Sequence, residues 1–252
     1  MRRASRLSGA PTSASRGSRS VALGRTGLIA TSQPLASAAG LQVFRDGGNA
    51  INAAVTAAAV LSVVEPTMTG IGGDLFAIVH DGATGRARGL NASRRSPRAA
   101  SLDRLRVLGH TSIPDRGALS VTVPGAVDGW SVLLAEHGTF SLRQALAPAI
   151  ACARDGFPVA EVVARQWREA APAAFLPGHR APDSGEAFAC PALAATLELI
   201  AAEGRNAPIG ASWAAPSRVT QPAVEAGSPR PTSASTGPSG LTRSARPPRM
   251  SS

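Results

Sequence analysis

The sequence predicts a mixed α/β fold that is rich in helices. Three observations predict this class: a long apolar segment with helix-type ends, two strand-like segments around a glycine turn, and several capped helical segments in the second half. A chain of 252 residues is long enough to bury one sizeable core.

The apolar segment from Asn49 to Val64 is predicted to be a buried helix. Asn49 follows two glycines and can cap the helix, because its side-chain carbonyl can accept hydrogen bonds from the first-turn N–H groups. Alanine favours helix, and Val, Ile and Leu fall on every face, so the helix should be buried nearly all round. Pro66 ends it. The segment is too short and too polar for a membrane span of about 20 apolar residues.

The segment before this helix is predicted to contain a short strand and a helix. Leu28–Ala30 is the possible strand. The helix covers residues 34–44, with Ser32 offering a cap and Pro34 in the first turn.

A β-hairpin is predicted after the glycine turn Gly70–Gly73. Its strands are Leu75–His80 and Arg86–Ala92, around the turn Asp81–Gly85.

The rest of the body is predicted to be mostly helical. Ser141 and Gln144 have the capping-box spacing, in which each side chain can satisfy a backbone donor of the other residue. The predicted helices are Arg98–Leu108, Ala126–Glu136, Ser141–Asp155, Val159–Ala170 and Ala192–Ala202, with a short strand at Ala118–Val123.

Positive charge is concentrated at the two ends of the chain. The formal net charge is +10, but residues 1–25 carry six Arg and no acid, and residues 205–252 carry six Arg and one Glu. Residues 26–204 therefore hold a net charge of −1, and no nucleic-acid partner is predicted. Both ends are predicted to be disordered, because they are polar and without apolar period.

The sequence gives no sign of a membrane segment, a secretory signal or a metal site. The first 20 residues are basic and rich in serine but lack an apolar core segment, so a cytoplasmic location is predicted. Cys152 and Cys190 fit no metal or redox spacing, and Cys152 is predicted to be a small buried thiol in a helix. No metal or organic cofactor is predicted.

A series of short motifs resembles the γ-glutamyltransferase family, whose members are N-terminal nucleophile hydrolases also called glutathione hydrolases. The resemblance extends from about Gly27 to Arg205. The motifs are Asp46-Gly-Gly-Asn-Ala50, Val64-Glu-Pro66, Gly70-Ile-Gly-Gly-Asp-Leu-Phe76, Ala30-Thr-Ser-Gln-Pro34, Val123-Pro-Gly-Ala-Val-Asp-Gly-Trp130, Leu146-Ala-Pro-Ala149, Gly156-Phe-Pro158 and Ala201-Ala-Glu-Gly-Arg205.

The resemblance implies the N-terminal large-subunit portion of an αββα sandwich, which would be incomplete in this chain. It also implies attack on a γ-glutamyl amide such as glutathione, through an acyl-enzyme that passes to water or an amino acid. Family members free a threonine nucleophile at the start of a small subunit, within a Thr-Thr-His type motif. This sequence contains no Thr-Thr pair. No catalytic residue is therefore assigned, the small-subunit half is expected to be missing, and the chain alone is expected to be inactive.

Two arginines after the hairpin are the candidate substrate-binding residues. Members use an arginine there to bind the α-carboxylate of the γ-glutamyl group, and a guanidinium suits this because its paired donors match a carboxylate. The usual pattern is Arg-Glu-x-Ala-Pro, whereas this chain reads Ser93-Arg-Arg-Ser-Pro97. A branch with Ser-Gly-Arg-Ala-Pro places the arginine at Arg95, so Arg95 is the first candidate and Arg94 the second. A solvated basic loop is the alternative, and other amide or acyl substrates stay open.

Other chemistry-bearing residues have milder predicted roles. Gly70–Gly73 lacks the Lys-Ser/Thr of a phosphate loop and is predicted to let backbone pass close to backbone. Asp74 is either polar lining of the pocket or a local cap. Glu65, His80 and His110 are predicted to be structural or exposed.

Three regions follow: a disordered basic N-terminus (1–25), a γ-glutamyltransferase-like large-subunit region (26–204) and a disordered tail (205–252). The tail is either unrelated sequence, such as a shifted reading frame, or a genuine disordered tail. Two functional alternatives also stay open, namely a non-catalytic carboxylate-binding remnant and an unstable pseudogene product whose apolar face stays exposed.

Overall fold

The computed structural model describes residues 21–93, 96–97, 100–115, 117–170, 180–204, 207 and 250–251. The described residues form helices and two small sheets, which confirms the predicted mixed α/β class. The helices are α1 (Pro34–Arg45), α2 (Ala50–Val64), α3 (Leu102–Val107), α4 (Ala126–His137), α5 (Leu142–Asp155), α6 (Glu161–Ala170) and α7 (Pro191–Glu203). The strands are β1 (Phe76–Asp81), β2 (Arg86–Asn91), β3 (Phe157–Pro158), β4 (Ala187–Phe188) and β5 (Met250–Ser251).

Helix α2 lies at the centre of the core. It packs against α1, α4 and α5, and α5 in turn packs against α7. Its buried side chains lie on every face, as the even spread of apolar residues predicts. The predicted cap is also present, because Asn49 Oδ1 accepts hydrogen bonds from the backbone N–H groups of Ile51 and Asn52. The Asn52 side chain completes a capping box by accepting from the Asn49 N–H.

The start of α2 is also joined to the end of α4. Asn49 Nδ2 donates to the carbonyl oxygen of His137 at 2.6 Å. Thr139 Oγ1 donates to Asn52 Oδ1 at 2.8 Å. The capping box therefore holds two parts of the chain together as well as starting a helix.

The predicted hairpin is formed by β1 and β2, which pair antiparallel from Phe76↔Asn91 to Asp81↔Arg86. The Asp81 carboxylate holds the turn, since it accepts from the Thr84 hydroxyl at 2.7 Å and from the Ala83 N–H at 2.9 Å. These hydrogen bonds lower the pKa of Asp81, with the Thr84 hydroxyl as the larger cause. Strand β5 pairs antiparallel with β2.

A second packing unit is formed by the short strands β3 and β4 together with α6. Strands β3 and β4 pair antiparallel, with Phe157 opposite Phe188. The fully buried Trp167 ring meets Phe188 edge to face, with 4.7 Å between ring centroids. These two-residue strands were not predicted.

The strand predicted at Leu28–Ala30 is wrong. These residues have no regular secondary structure in the described chain. Ile29 instead packs its side chain against α1, where an added Cβ on Gly40 would collide with it. The predicted Ser32 cap is also wrong. Gln33 caps α1 instead, because its side-chain Oε1 accepts a hydrogen bond from the Leu35 N–H.

The strand predicted at Ala118–Val123 is wrong as well. Ala118–Ser120 form a single 3₁₀ turn, and both Val121 and Val123 are exposed. The third predicted helix is shorter than expected, because the Ser101 hydroxyl accepts from the Arg104 N–H and thus starts α3 at Leu102.

The predicted terminal regions lie mostly outside the described residues, so the boundaries 1–25, 26–204 and 205–252 stay a prediction. In the last region, Met250 and Ser251 form β5. Within the part of the chain that the structure describes, no helix is long and apolar enough to cross a membrane.

Candidate functional site

Three segments meet beside the base of the hairpin, and we define them as the candidate site: loop 70–74, residues 91–93 and residues 122–126. The carbonyl oxygen of Gly73 accepts hydrogen bonds from the backbone N–H groups of Gly125 and Ala126, both at 2.9 Å. N–H groups at a helix start have no partner within the helix, so Gly73 satisfies donors at the start of α4. The Gly73 backbone thus lies close to the start of α4, but a Cβ added at Gly73 would meet only the Gly70 carbonyl oxygen at 3.7 Å, and one added at Gly70 would meet nothing within 4 Å. The predicted need for glycine at these two positions is therefore not supported.

Asp74 connects the three segments through its carboxylate. Its Oδ1 accepts from the Thr122 hydroxyl at 3.1 Å, and its Oδ2 accepts from the Ser93 hydroxyl at 3.5 Å. Asp74 and Ser93 are exposed, whereas Thr122 is half-buried. Asp74 is therefore a polar bridge in an open site, and its predicted roles, a polar lining residue or a local cap, stay a prediction.

The hairpin base packs tightly against α4. The Ala92 N–H donates to the Leu75 carbonyl oxygen at 2.8 Å, one step beyond the ends of the paired strands. A Cβ added to Gly129 in α4 would lie 2.9 Å from Leu75 Cδ2 and 3.0 Å from Ala92 Cβ. A larger residue would require Leu75 and Ala92 to shift, so Gly129 allows the close packing of α4 against the hairpin base.

The predicted substrate-binding residues Arg94 and Arg95 lie outside the described residues, and their role stays a prediction. The residues on either side are described. Ser93 leaves the hairpin with its N–H donating to Asn91 Oδ1 at 2.9 Å, and its hydroxyl reaches Asp74. The chain therefore enters the arginine pair from a position held by two side chains of the site.

Thr122 and Ser93 were not predicted as partners of Asp74. Thr122 immediately precedes the Val123-Pro-Gly motif, and this position is the one feature of the sequence that could have marked Thr122 as a site residue. The pairing itself could not be predicted, because 48 residues separate Asp74 from Thr122.

The other candidate residues are spread over the molecule. Glu65 is buried at 8% exposure and accepts a hydrogen bond from Ser32, whereas His80 is exposed on β1 and His110 is half-buried. The Cys152 thiol is half-buried, and its pKa is raised mainly by burial and further by the nearby Asp155. Among the described residues, no group of three or more His, Cys, Asp or Glu is placed to hold a metal ion.

The chain matches a family model, several curated proteins and several solved structures. The family model described as Gamma-glutamyltranspeptidase matches residues 36–208. The chain is 36% identical over 199 residues to a glutathione hydrolase proenzyme of Bacillus subtilis (strain 168), a match that covers 74% of this chain and 34% of that protein. It is also 38% identical over 208 residues to the acylase ACY 1 proenzyme of Pseudomonas sp. (strain V22), covering 75% of this chain and 37% of that protein. The chain thus spans about a third of the length of these curated relatives.

Solved structures agree with the sequence relatives. The Helicobacter pylori gamma-glutamyltranspeptidase structure matches with a TM-score of 0.67 and 32% identity, covering 73% of this chain and 56% of that one. The cephalosporin acylase structure from Bacillus halodurans matches with a TM-score of 0.70 and 38% identity, covering 76% of this chain and 39% of that one.

Proposed function

The chain belongs to the gamma-glutamyltranspeptidase family, and from this membership we propose that it provides the substrate-binding part of an enzyme acting on γ-glutamyl amides. The enzyme would hydrolyse or transfer γ-glutamyl groups of glutathione-like compounds through an acyl-enzyme. The observation that carries the proposal is the family match over residues 36–208, which includes every segment of the candidate site.

Arg95 is the proposed ligand of the substrate α-carboxylate, with Arg94 as the second candidate. The arginine pair follows a hairpin held on a rigid support, which is a common place for binding residues. Pro97 restricts Ser96 to extended conformations and stiffens the far side of the segment. Asp74 would act as a positioning residue, since it holds Ser93 immediately before the pair.

The proposed chemistry needs a nucleophile from a second polypeptide segment of the small-subunit type. A threonine hydroxyl would attack the γ-amide carbonyl, the amine would leave with a proton, and an acyl ester would remain on the threonine. Water or an amino acid would then attack the ester and release the threonine. In this proposal the present chain binds and orients the γ-glutamyl group, and the αββα sandwich would be completed by the partner segment.

Binding of a γ-glutamyl anilide to the full chain tests the proposal. Loss of a charge-assisted hydrogen bond costs about 1.5–3 kcal/mol, so Arg95→Ala should weaken binding roughly ten- to more than a hundredfold. Arg95→Lys should recover only part of this loss, because an ammonium group cannot form the planar fork of a guanidinium.

Arg98→Ala is the matched control, since it removes the same charge three residues away. Equal and small effects of Arg95→Ala, Arg94→Ala and Arg98→Ala would return the segment to the alternative of a solvated basic loop.

A second candidate substrate class is supported by two observations. Serine stands at position 93 where the usual family pattern has arginine, and acylases are among the relatives at 38% identity. The second candidate is therefore an acyl amide without the α-carboxylate that this arginine binds. 4-Aminobutyryl anilide differs from γ-glutamyl anilide only in lacking this carboxylate, so equal or tighter binding of the 4-aminobutyryl compound would favour the second substrate class.

A further inference from the structure

A cavity of about 580 Å³ lies away from the candidate site, between the start of α1, the end of α2 and the start of α6. Its volume falls in the range of small-molecule sites, about 300–1,000 Å³. Such sites are mainly apolar with a few polar groups that orient the ligand. The cavity has this composition, and its lining residues come from three helices and the residues that flank them.

Glu65 is the polar group that distinguishes this cavity. The residue is 8% exposed, and the Ser32 hydroxyl donates a hydrogen bond to its carboxylate, at 2.7 Å from Oε2. Removing a carboxylate from water is costly unless a cation or several hydrogen bonds offset the loss of hydration. One neutral hydroxyl is a small offset for a carboxylate that has two acceptor oxygens.

The other lining residues make the cavity negative and partly aliphatic. Glu161, in the first turn of α6, is a second lining carboxylate, and none of the described lining residues is Arg or His. Leu61 also lines the cavity, while Val162 and Met68 lie exposed at its rim. A ligand that matches this surface carries a positive head group and a short aliphatic stem.

We propose that the cavity binds a guanidinium or ammonium group on an aliphatic stem, with the positive charge against Glu65. The same chemistry has two sources, namely a free small molecule or the arginine or lysine side chain of a polypeptide. The site does not depend on the proposed γ-glutamyl activity, because its lining residues are separate from loop 70–74 and residues 91–93 and 122–126.

Isothermal titration of the full chain with n-butylguanidinium and its neutral counterpart n-butylurea tests the proposal. We expect n-butylguanidinium to bind at least tenfold more tightly than n-butylurea. Glu65→Gln should weaken the guanidinium at least tenfold, because it removes the charge but leaves an oxygen that can still accept from Ser32. Glu203→Gln, which removes an exposed carboxylate at the end of α7, should leave binding unchanged.

A blocking variant keeps the test decisive if Glu65→Gln fails to fold. Val162 is 53% exposed at the rim, so Val162→Trp should obstruct the cavity at little cost to the core. Val107→Trp, at an 86% exposed position outside the cavity, is the matched control. Equal binding of the charged and neutral compounds, no binding of either, or full guanidinium binding by a folded Glu65→Gln or Val162→Trp protein would overturn the proposal.

A capped arginine peptide and its citrulline counterpart distinguish the two sources. If the arginine peptide binds more than tenfold more tightly than n-butylguanidinium, the site recognises a polypeptide side chain. If it binds no more tightly, the natural ligand is a small molecule.

Discussion

Asn49 and Ser141 each begin a helix with a capping box, and the two boxes differ in what else they hold. The Ser141 and Gln144 side chains bond within their own turn. Asn49 caps α2 and also donates to the carbonyl oxygen of His137. The caps could be predicted from sequence because their partners lie three residues away. The bond to His137 could not, because 88 residues separate the two groups.

This difference predicts unequal costs for two similar substitutions. Ser141→Ala should lower the free energy of unfolding by about 1 kcal/mol, the usual cost of losing a cap. Asn49→Ala should cost about 2–3 kcal/mol, because it also removes the donor to His137. Urea unfolding of both variants checks the prediction. A loss in Asn49→Ala that is no greater than in Ser141→Ala would show that the His137 bond contributes nothing measurable.

Gly129 gives a second prediction at a single position. An exposed Gly→Ala change within a helix usually stabilises by about 0.5–1 kcal/mol. At Gly129 the new Cβ would press on Leu75 and Ala92, and overpacking costs about 1–3 kcal/mol, so Gly129→Ala should be a net loss.

Ala135→Gly measures helix propensity alone, at an exposed position in the same helix α4. Gly129→Ala should also disturb the candidate site, because Ala92 directly precedes Ser93. If Gly129→Ala instead gains as much stability as Ala135→Gly loses, the added Cβ has no packing cost. That result would contradict a tight contact between α4 and the hairpin base.

At the scale of whole elements, helices were easier to predict than strands. The bounds of α2, α4 and α5 agree closely with the predictions. Local caps mark the starts of α2 and α5, and Pro66, Gly138 and Gly156 mark the ends of the three helices. A strand needs a partner, and a short apolar run does not show whether one exists. Leu28–Ala30 supplies a core side chain without pairing, whereas β3 and β4 pair across about 30 residues without any sequence signal.

The segment before β4 gives a prediction about pH. Arg180 makes two hydrogen bonds of 2.8 Å to the Glu186 carboxylate, which also accepts from the Asp183 N–H. Arg180 is the main cause of a lowered Glu186 pKa. The ion pair therefore stabilises the fold above the ordinary Glu pKa, and this contribution is lost as the pH falls through the lower folded-state value.

Titration of the Glu186 carboxyl group by NMR checks this pKa. Its midpoint should lie below that of an unpaired glutamate, and Arg180→Ala should move it upward. Arg154 pairs with Glu198 elsewhere on the surface, so Arg154→Ala is the control and should leave the Glu186 midpoint in place.

At the scale of the molecule, the chain matches about a third of the length of its curated relatives. The activity expected of the chain follows from what that third contains. The full chain should not hydrolyse a γ-glutamyl anilide, because its sequence has no Thr-Thr pair that could provide the family nucleophile. Colorimetric release of the aniline measures this directly. Turnover above the buffer rate, abolished by a point substitution in this chain, would contradict the prediction. Binding without turnover would agree with both the proposed substrate-binding part and a non-catalytic remnant.

The position of α2 has a consequence for the synthesis of the protein. Translation completes this apolar helix at Val64, but the helix that covers one of its faces, α5, ends only at Asp155. Ribosomes add about 5–20 residues per second, so this face of α2 stays uncovered for roughly 5 to 20 seconds until α5 has been synthesised. Exposed apolar surface of this kind makes a nascent chain prone to aggregation and dependent on chaperones. The yield of folded protein in a cell should therefore respond to translation speed between codons 64 and 155 and to chaperone supply.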